Sequence, residues 1–103
     1  MAEFVLASIL LRAKDMRRSI ENQRSGVWDK RSTLPLQGRR AAVIGAGGVG
    51  ARIALLLRAV GMEIDIVGRT PRIDGGLVDG CTLGPVRGID ELPQLLPEID
   101  DLV

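Results

Sequence analysis

Apolar residues from Phe4 to Leu11 recur nearly all round a helical wheel, and Met16 and Ile20 continue one apolar stripe at four-residue spacing. Leu, Ala, Arg, Met and Ile dominate, and neither Gly nor Pro intervenes, so Ala2 to Asn22 is predicted as one long helix. Its second half carries Arg12, Lys14, Asp15, Arg17, Arg18 and Glu21. One end is therefore expected to be buried and the other to project, its basic cluster read as a solvated face. Ser25 to Gly38 is a connector with Gly26, Pro35 and Gly38, in which Trp28 is expected to pack against the domain.

A short apolar run, Ala41 to Ile44, then predicts a strand. A glycine-rich turn follows, Gly45-Ala46-Gly47-Gly48-Val49-Gly50. Ile53, Leu56, Leu57 and Val60 share one face of a helix predicted over 49–60, and Gly61 stands where a C-terminal cap belongs. A second strand is predicted over 63–67. Turn residues fill Gly68 to Gly80, and a short third strand is expected over 82–86. Asp90 reads as the N-cap of a helix over 91–96 that Pro97 ends, and Asp101-Leu102-Val103 as a fourth strand.

Composition narrows the classes. In 103 residues there is room for one domain, and 46% hydrophobic content permits a packed core. Phe4 and Trp28 are the only aromatics, which leaves no stacking platform for single-stranded nucleic acid. A net charge of +1 gives no strong field for nucleic acid or an anionic membrane. The apolar run 4–11 is too short to span a bilayer, and it lacks the flanks of a secretory signal. Cys81 stands alone, so no internal disulfide forms and a cytoplasmic setting is expected. The absence of His removes the usual metal sites and imidazole acid–base chemistry from these residues, and no metal or catalytic residue is assigned.

Strand, glycine turn, helix and strand within about thirty residues give the GxGxxG pattern its required context. Gly45 permits the tight turn, Gly47 lets backbone approach a pyrophosphate, and Gly50 lets the helix pack against the strand. The N–H groups of Gly48 and Val49 are expected to face the phosphates, aided by the helix dipole. At the end of the second strand, NAD-selective domains usually carry Asp or Glu for the ribose. Here the residues are Gly68-Arg69-Thr70-Pro71-Arg72, while Asp65 lies three residues earlier, inside the strand. Gly68, Arg69 and Thr70 are therefore assigned to the cofactor site with Gly45, Gly47, Gly48, Val49 and Gly50. They suit the 2′-phosphate of NADP in preference to NAD, although Arg69 and Arg72 also read as ordinary exposed loop residues.

These residues together resemble the D-isomer-specific 2-hydroxyacid dehydrogenases, which include glyoxylate/hydroxypyruvate reductases and phosphoglycerate dehydrogenases. The resemblance runs from Ala2 to Val103. It rests on the opening Ala2-Glu3-Phe4-Val5-Leu6-Ala7, the connector Gln23, Gly26 and Trp28, Leu36 with Gly38, the glycine loop 45–50, Leu57 to Met62, Ile89-Asp90-Glu91-Leu92, and Asp101. Gly48 stands where that family often has Arg, and Gly68 where it usually has Asp. The resemblance implies an α/β fold: a partial Rossmann domain (a doubly wound parallel sheet) with strand order 3-2-1-4, preceded by a long helix. It divides the chain into an arm, 1–38, that forms a homodimer, and an NAD(P)-binding part, 39–103. It implies hydride transfer between nicotinamide and a 2-keto or 2-hydroxy acid. The family's catalytic residues and substrate domain are expected outside these 103 residues, so the chain by itself is expected to be inactive. A second reading, the ATP loop of a ubiquitin-activating-type adenylating enzyme, also matches Gly45–Gly50, but that type follows its second strand with acidic residues that Gly68-Arg69-Thr70 do not supply. A third is a non-catalytic nucleotide-binding or dimerisation module.

Overall fold

The long N-terminal helix forms as two. In the computed structural model, which describes all of residues 1–103, α1 spans Ala2–Ala13 and α2 spans Met16–Ser25. Asp15 breaks the expected continuous helix by adopting a left-handed conformation (φ 48°, ψ 47°), which Asp tolerates better than most residues. The break is held from a distance. Arg31, in the connector, donates to the Asp15 carbonyl at 2.8 Å and to Ser19 Oγ at 2.9 Å. α1 buries Ile9 and Ala13 against the domain, whereas α2 buries nothing and projects, as the charge pattern predicts. α2 closes at Gly26 (φ 66°), whose N–H donates to Gln23 O while that of Val27 donates to Asn22 O.

Trp28 does not pack against the domain; it is 93% exposed. Its neighbour Asp29 is the anchored residue, bound by Arg18 at 2.8 Å and Arg31 at 3.4 Å.

The strands β1 (Arg40–Ile44), β2 (Glu63–Gly68), β5 (Val86–Gly88) and β6 (Asp101–Leu102) form one parallel sheet in the order β5-β2-β1-β6. That is the expected 3-2-1-4. Alternation along β1 and β2 sends Ala41, Val43 and Ile66 to one face, where they meet Ala51, Ala54 and Leu57 of α3 (Gly48–Ala59) and Ile9 and Ala13 of α1. Ala42 and Val67 meet Leu95 on the other face. Layers on both faces make this the doubly wound α/β arrangement. α3 ends as Gly61 predicts: Gly61 (φ 90°) donates to Arg58 O at 2.9 Å and Met62 to Leu57 O at 3.1 Å.

The connection from β2 to β5 departs from expectation. Parallel strands are usually joined through a helix. Here the chain folds back as an antiparallel arm containing β3 (Leu77–Val78) and β4 (Cys81–Thr82). Asp79 (φ 50°) and Gly80 (φ 78°) make its two-residue turn, both central positions having the positive φ that a twisted hairpin demands. Pairing continues down the arm through Gly75 N–H to Gly84 O and Arg72 opposite Val86. The expected third strand over 82–86 is therefore split. Gly84 (φ 82°) and Pro85 interrupt it, and the parallel strand begins only at Val86. Asp90 is likewise not an N-cap. Glu91 Oε2 accepts from the Gly88 N–H at 2.9 Å, and a 3-10 turn at Ile89–Glu91 leads into the short α4 (Leu92–Leu95). Pro97 sits inside a second 3-10 turn, Leu96–Glu98, rather than ending a helix.

The N-terminal ends of the strands are tied by ion pairs. Asp101, buried at the start of β6, receives Arg12 from α1 and Arg39 at 3.1 Å. Arg40 donates to Glu98 at 2.7 Å and Asp65 at 2.9 Å, and these hydrogen bonds, Glu98 first, hold its guanidinium above the ordinary arginine range.

Candidate nucleotide-binding site

At the opposite, C-terminal ends of β1 and β2 the chain opens into a cavity of about 500 Å³. β1 leaves the sheet through Gly45 (φ 115°), a conformation that side-chain-bearing residues rarely adopt, and the Gly45 N–H donates to Val67 O at 2.7 Å. Gly47 is extended (φ −79°, ψ −178°) and precedes α3. A Cβ built on Gly47 meets nothing within 4 Å, so the floor of the turn is open to an approaching group. A Cβ on Gly50 would lie 1.8 Å from Gly45 O and 3.5 Å from Val43 Cγ1. The three glycines thus do the three mechanical jobs the spacing implies: turn, open approach, close packing.

The first backbone bond of α3 runs from Ala51 N–H to Gly47 O at 2.9 Å, and the N–H groups of Gly48, Val49 and Gly50 have no acceptor in the chain. Free donors at the head of a twelve-residue helix, beside an open glycine floor, suit a phosphate. Gly48 and Val49 form this first turn and do not line the cavity, and Gly50 packs behind it.

Gly68, Arg69 and Thr70 line the cavity together with Gly45 and Gly47. So does Arg72, which the sequence pattern did not separate from an ordinary loop residue. Only its pairing with Val86, invisible before the arm is known, places it there. No carboxylate lines the cavity. Arg69 and Arg72 take part in no ion pair, whereas seven other arginines do. Asp65 is no substitute for a ribose acceptor, being held at 2.9 Å by both Arg40 and Arg87. The site therefore presents three free N–H donors and two unpaired guanidinium groups and no opposing charge, an arrangement that binds anions. Its donor set is compatible with a dinucleotide.

A βαβ unit with a glycine turn of this geometry, in a sheet of order β5-β2-β1-β6, defines a Rossmann-type dinucleotide-binding domain. Residues 6–100 match the family model "D-isomer specific 2-hydroxyacid dehydrogenase, NAD binding domain", and the chain belongs to that family. It is 27% identical over 104 residues to a D-3-phosphoglycerate dehydrogenase of Haemophilus influenzae, covering 96% of this chain and 23% of that one. It is 40% identical over 63 residues to a shikimate dehydrogenase (NADP(+)) of Natronomonas pharaonis, covering 61% of this chain and 24% of the relative. Among solved structures, a D-isomer specific 2-hydroxyacid dehydrogenase of Xanthobacter autotrophicus Py2 in complex with NADPH and MES superimposes with a TM-score of 0.72. It is 29% identical, and the match covers 98% of this chain and 30% of that one. The chain thus spans about a quarter of the length of its curated relatives. These matches support the dehydrogenase reading and lend none to the adenylating alternative.

Proposed function

We propose that these residues form the cofactor domain of an NADP(H)-preferring oxidoreductase that interconverts a 2-keto acid and a 2-hydroxy acid. One observation carries the preference: the cavity at the end of β2 holds Gly68 where a ribose-binding carboxylate would stand, and beside it two guanidinium groups without ion-pair partners. A carboxylate there would repel a 2′-phosphate. Its absence, with Arg69 and the Thr70 hydroxyl in reach of the cavity, favours one. The relatives named for NADP(+) or bound to NADPH support the same choice.

When bound, the nicotinamide supplies or accepts the hydride. The residues of this chain bind and orient it: Gly45 and Gly47 shape the floor, Gly48 and Val49 donate to the pyrophosphate, and Gly50 sets the helix in place. The acid–base and substrate-binding groups are assigned to other parts of the enzyme, and the compartment is taken to be the cytoplasm. No helix here is long and apolar enough to cross a membrane. Residues 1–38 are taken as a dimerisation arm, because Phe4 (72% exposed), Leu11, Met16 and Ile20 leave apolar surface on α1 and α2 uncovered.

Calorimetric titration of NADP(H) and NAD(H) tests the cofactor choice. The unmodified chain is expected to favour NADP(H) by about tenfold or more, since a charge-assisted hydrogen bond is worth roughly 1.5–3 kcal/mol. Gly68→Asp with Arg69→Ile should reverse the order. Because a Cβ at Gly68 lies 3.0 Å from Val86 Cγ1, Gly68→Ala is the control for crowding alone. Equal affinities in the unmodified chain would refute the reading.

A further inference from the structure

We propose that the N-terminal arm has two states: Arg31 latches it bent at Asp15, and with the latch released residues 2–25 run as one continuous helix.

The bent form is not what the local sequence prefers. No Gly or Pro stands between Ala2 and Ser25, and Leu, Ala, Arg and Met dominate the run. Asp15 nevertheless takes a left-handed conformation (φ 48°, ψ 47°). The one other side-chain-bearing residue at positive φ is Asp79, which shares with Gly80 a two-residue hairpin turn that demands it. Asp15 has no such local reason. A left-handed residue inside a run of helix formers persists only where its surroundings impose it.

The connector supplies those surroundings. The Arg31 side chain, 19% exposed, lies in the elbow, donates to the Asp15 carbonyl and to Ser19 Oγ of α2, and sets its Nε 3.4 Å from the Asp15 carboxylate. It also holds Asp29, which Arg18 of α2 grips as well. Leu34 closes the same elbow. Its N–H donates to Ala13 O at 3.2 Å, a carbonyl that in a continuous helix accepts from the N–H four residues on, and its own carbonyl accepts from Lys14 Nζ at 2.8 Å. Arg31 is the tie that grips the left-handed residue itself.

The connector is long enough for the other state. A continuous helix carries Ser25 about 18 Å beyond Ala13. The nine residues from Gly26 to Leu34 reach up to about 30 Å when extended, so α2 can straighten while Leu36 stays in the core. The bend also changes which residues meet. Leu11 and Ile20 line one crease of about 640 Å³ between α1 and α2, together with Arg12, Asp15 and Arg17. On a continuous helix these two apolar residues stand about two and a half turns apart, on opposite sides. The latch thus decides whether the N-terminal arm offers this crease or a plain helix.

The test is double electron–electron resonance between spin labels on Phe4→Cys and Gln23→Cys, both exposed positions, in a Cys81→Ser background diluted with unlabelled chain. With Arg31 in place, one population is expected, shorter than the roughly 28 Å of backbone separation that a continuous helix gives. Arg31→Ala removes two charge-assisted hydrogen bonds and should lower the ratio of bent to continuous arm by about tenfold or more. Arg31→Lys keeps the charge without the fork and should shift a smaller share. Asp15→Gly added to Arg31→Ala should restore the short distance, because Gly takes the left-handed conformation without a side-chain cost. Thermal melts show that the domain stays folded in each. An Arg31→Ala arm that keeps the short distance overturns the latch, and a broad distribution with loss of helical signal overturns the continuous state. A double variant that stays long overturns the role of Asp15 as the hinge.

Discussion

The closest approach in the glycine turn is between Gly50 and Gly45, and it yields a quantitative expectation. A Cβ at position 50 would lie 1.8 Å from Gly45 O and 2.9 Å from Gly45 C, where ordinary contact begins at 3.4 Å. Relief of the clash needs a retreat of about 1.6 Å, and both partners are backbone, so no flexible side-chain end can yield. The retreat would have to open the interface in which Ala51 and Ala54 of α3 pack against Val43 of β1, all nearly or fully buried. Forced overpacking costs about 1–3 kcal/mol, and a backbone–backbone clash belongs at the upper end, near 3 kcal/mol. For a chain of about 100 residues each kcal/mol moves Tm by roughly 4–8 °C, so Gly50→Ala should melt at least about 12 °C below the unmodified protein, or fail to fold. The control is Gly48→Ala in the same turn, where a Cβ meets nothing within 4 Å and φ is not in the left-handed range. There the same one-carbon addition should be neutral or stabilising by about 0.5–1 kcal/mol. Matched thermal melts decide. If Gly50→Ala melts within about 3 °C of the unmodified chain, or Gly48→Ala falls as far as Gly50→Ala, the assignment of Gly50 to helix packing is wrong.

Asp101→Asn should cost about 1–3 kcal/mol in a denaturant titration, because it leaves Arg39, whose side chain is 14% exposed, without its carboxylate; Arg12, at 61% exposure, loses little. An unchanged midpoint would show that the pair holds nothing together. Trp28, at 93% exposure, should be quenched by acrylamide almost as freely as tryptophan in solution, and should become shielded at concentrations where sedimentation shows dimers. Dimers are expected because the outer edge of β6 is unpaired and the apolar face of α1 uncovered; a monomer at tens of micromolar would refute the dimerisation arm. The 103 residues alone, lacking histidine, should not oxidise NADPH with glyoxylate or hydroxypyruvate, and turnover above a blank would relocate the catalytic groups into this chain.

What the sequence disclosed and what it hid divide along a physical line. The unit from Arg40 to Gly68 was legible because its determinants are local: apolar periodicity, three glycines with distinct steric duties, and a C-cap at Gly61. The Asp79-Gly80 turn was equally present in the letters, as a dipeptide suited to positive φ. The break at Asp15 was hidden because its partner, Arg31, lies sixteen residues downstream and no Gly or Pro marks the place. The third strand was misplaced because Val86 belongs at once to the arm and to the parallel sheet, and one apolar residue cannot announce two pairings. Arg72 was named but not assigned to the site for the same reason: its place in the cavity depends on what it pairs with rather than on its neighbours.

The parallel arrangement also sorts charge, and this is where composition alone misleads. A net charge of +1 argues against a broad field. Yet the charges are not mixed evenly along the sheet. Glu63, Asp65, Glu98 and Asp101 gather with Arg12, Arg39 and Arg40 towards the N-terminal ends of the strands, where they neutralise one another, and Arg87, opposite Val67, also pairs with Asp65. No carboxylate lines the cavity at the C-terminal ends of β1 and β2, which holds the guanidinium groups of Arg69 and Arg72 beside the unpaired N–H groups at the head of α3. β1 and β2 are adjacent and parallel, with Ile44 in register with Val67, so the glycine turn after one strand and the arginines after the other open on the same side of the sheet. Two sets of unpaired donors are thereby placed side by side by topology, after neighbouring strands. A ligand that carries two separated phosphate groups uses both at once, whereas one with a single phosphate uses only one. The uneven sorting of a nearly neutral set of charges is what supports the proposal of a phosphorylated dinucleotide at this βαβ unit.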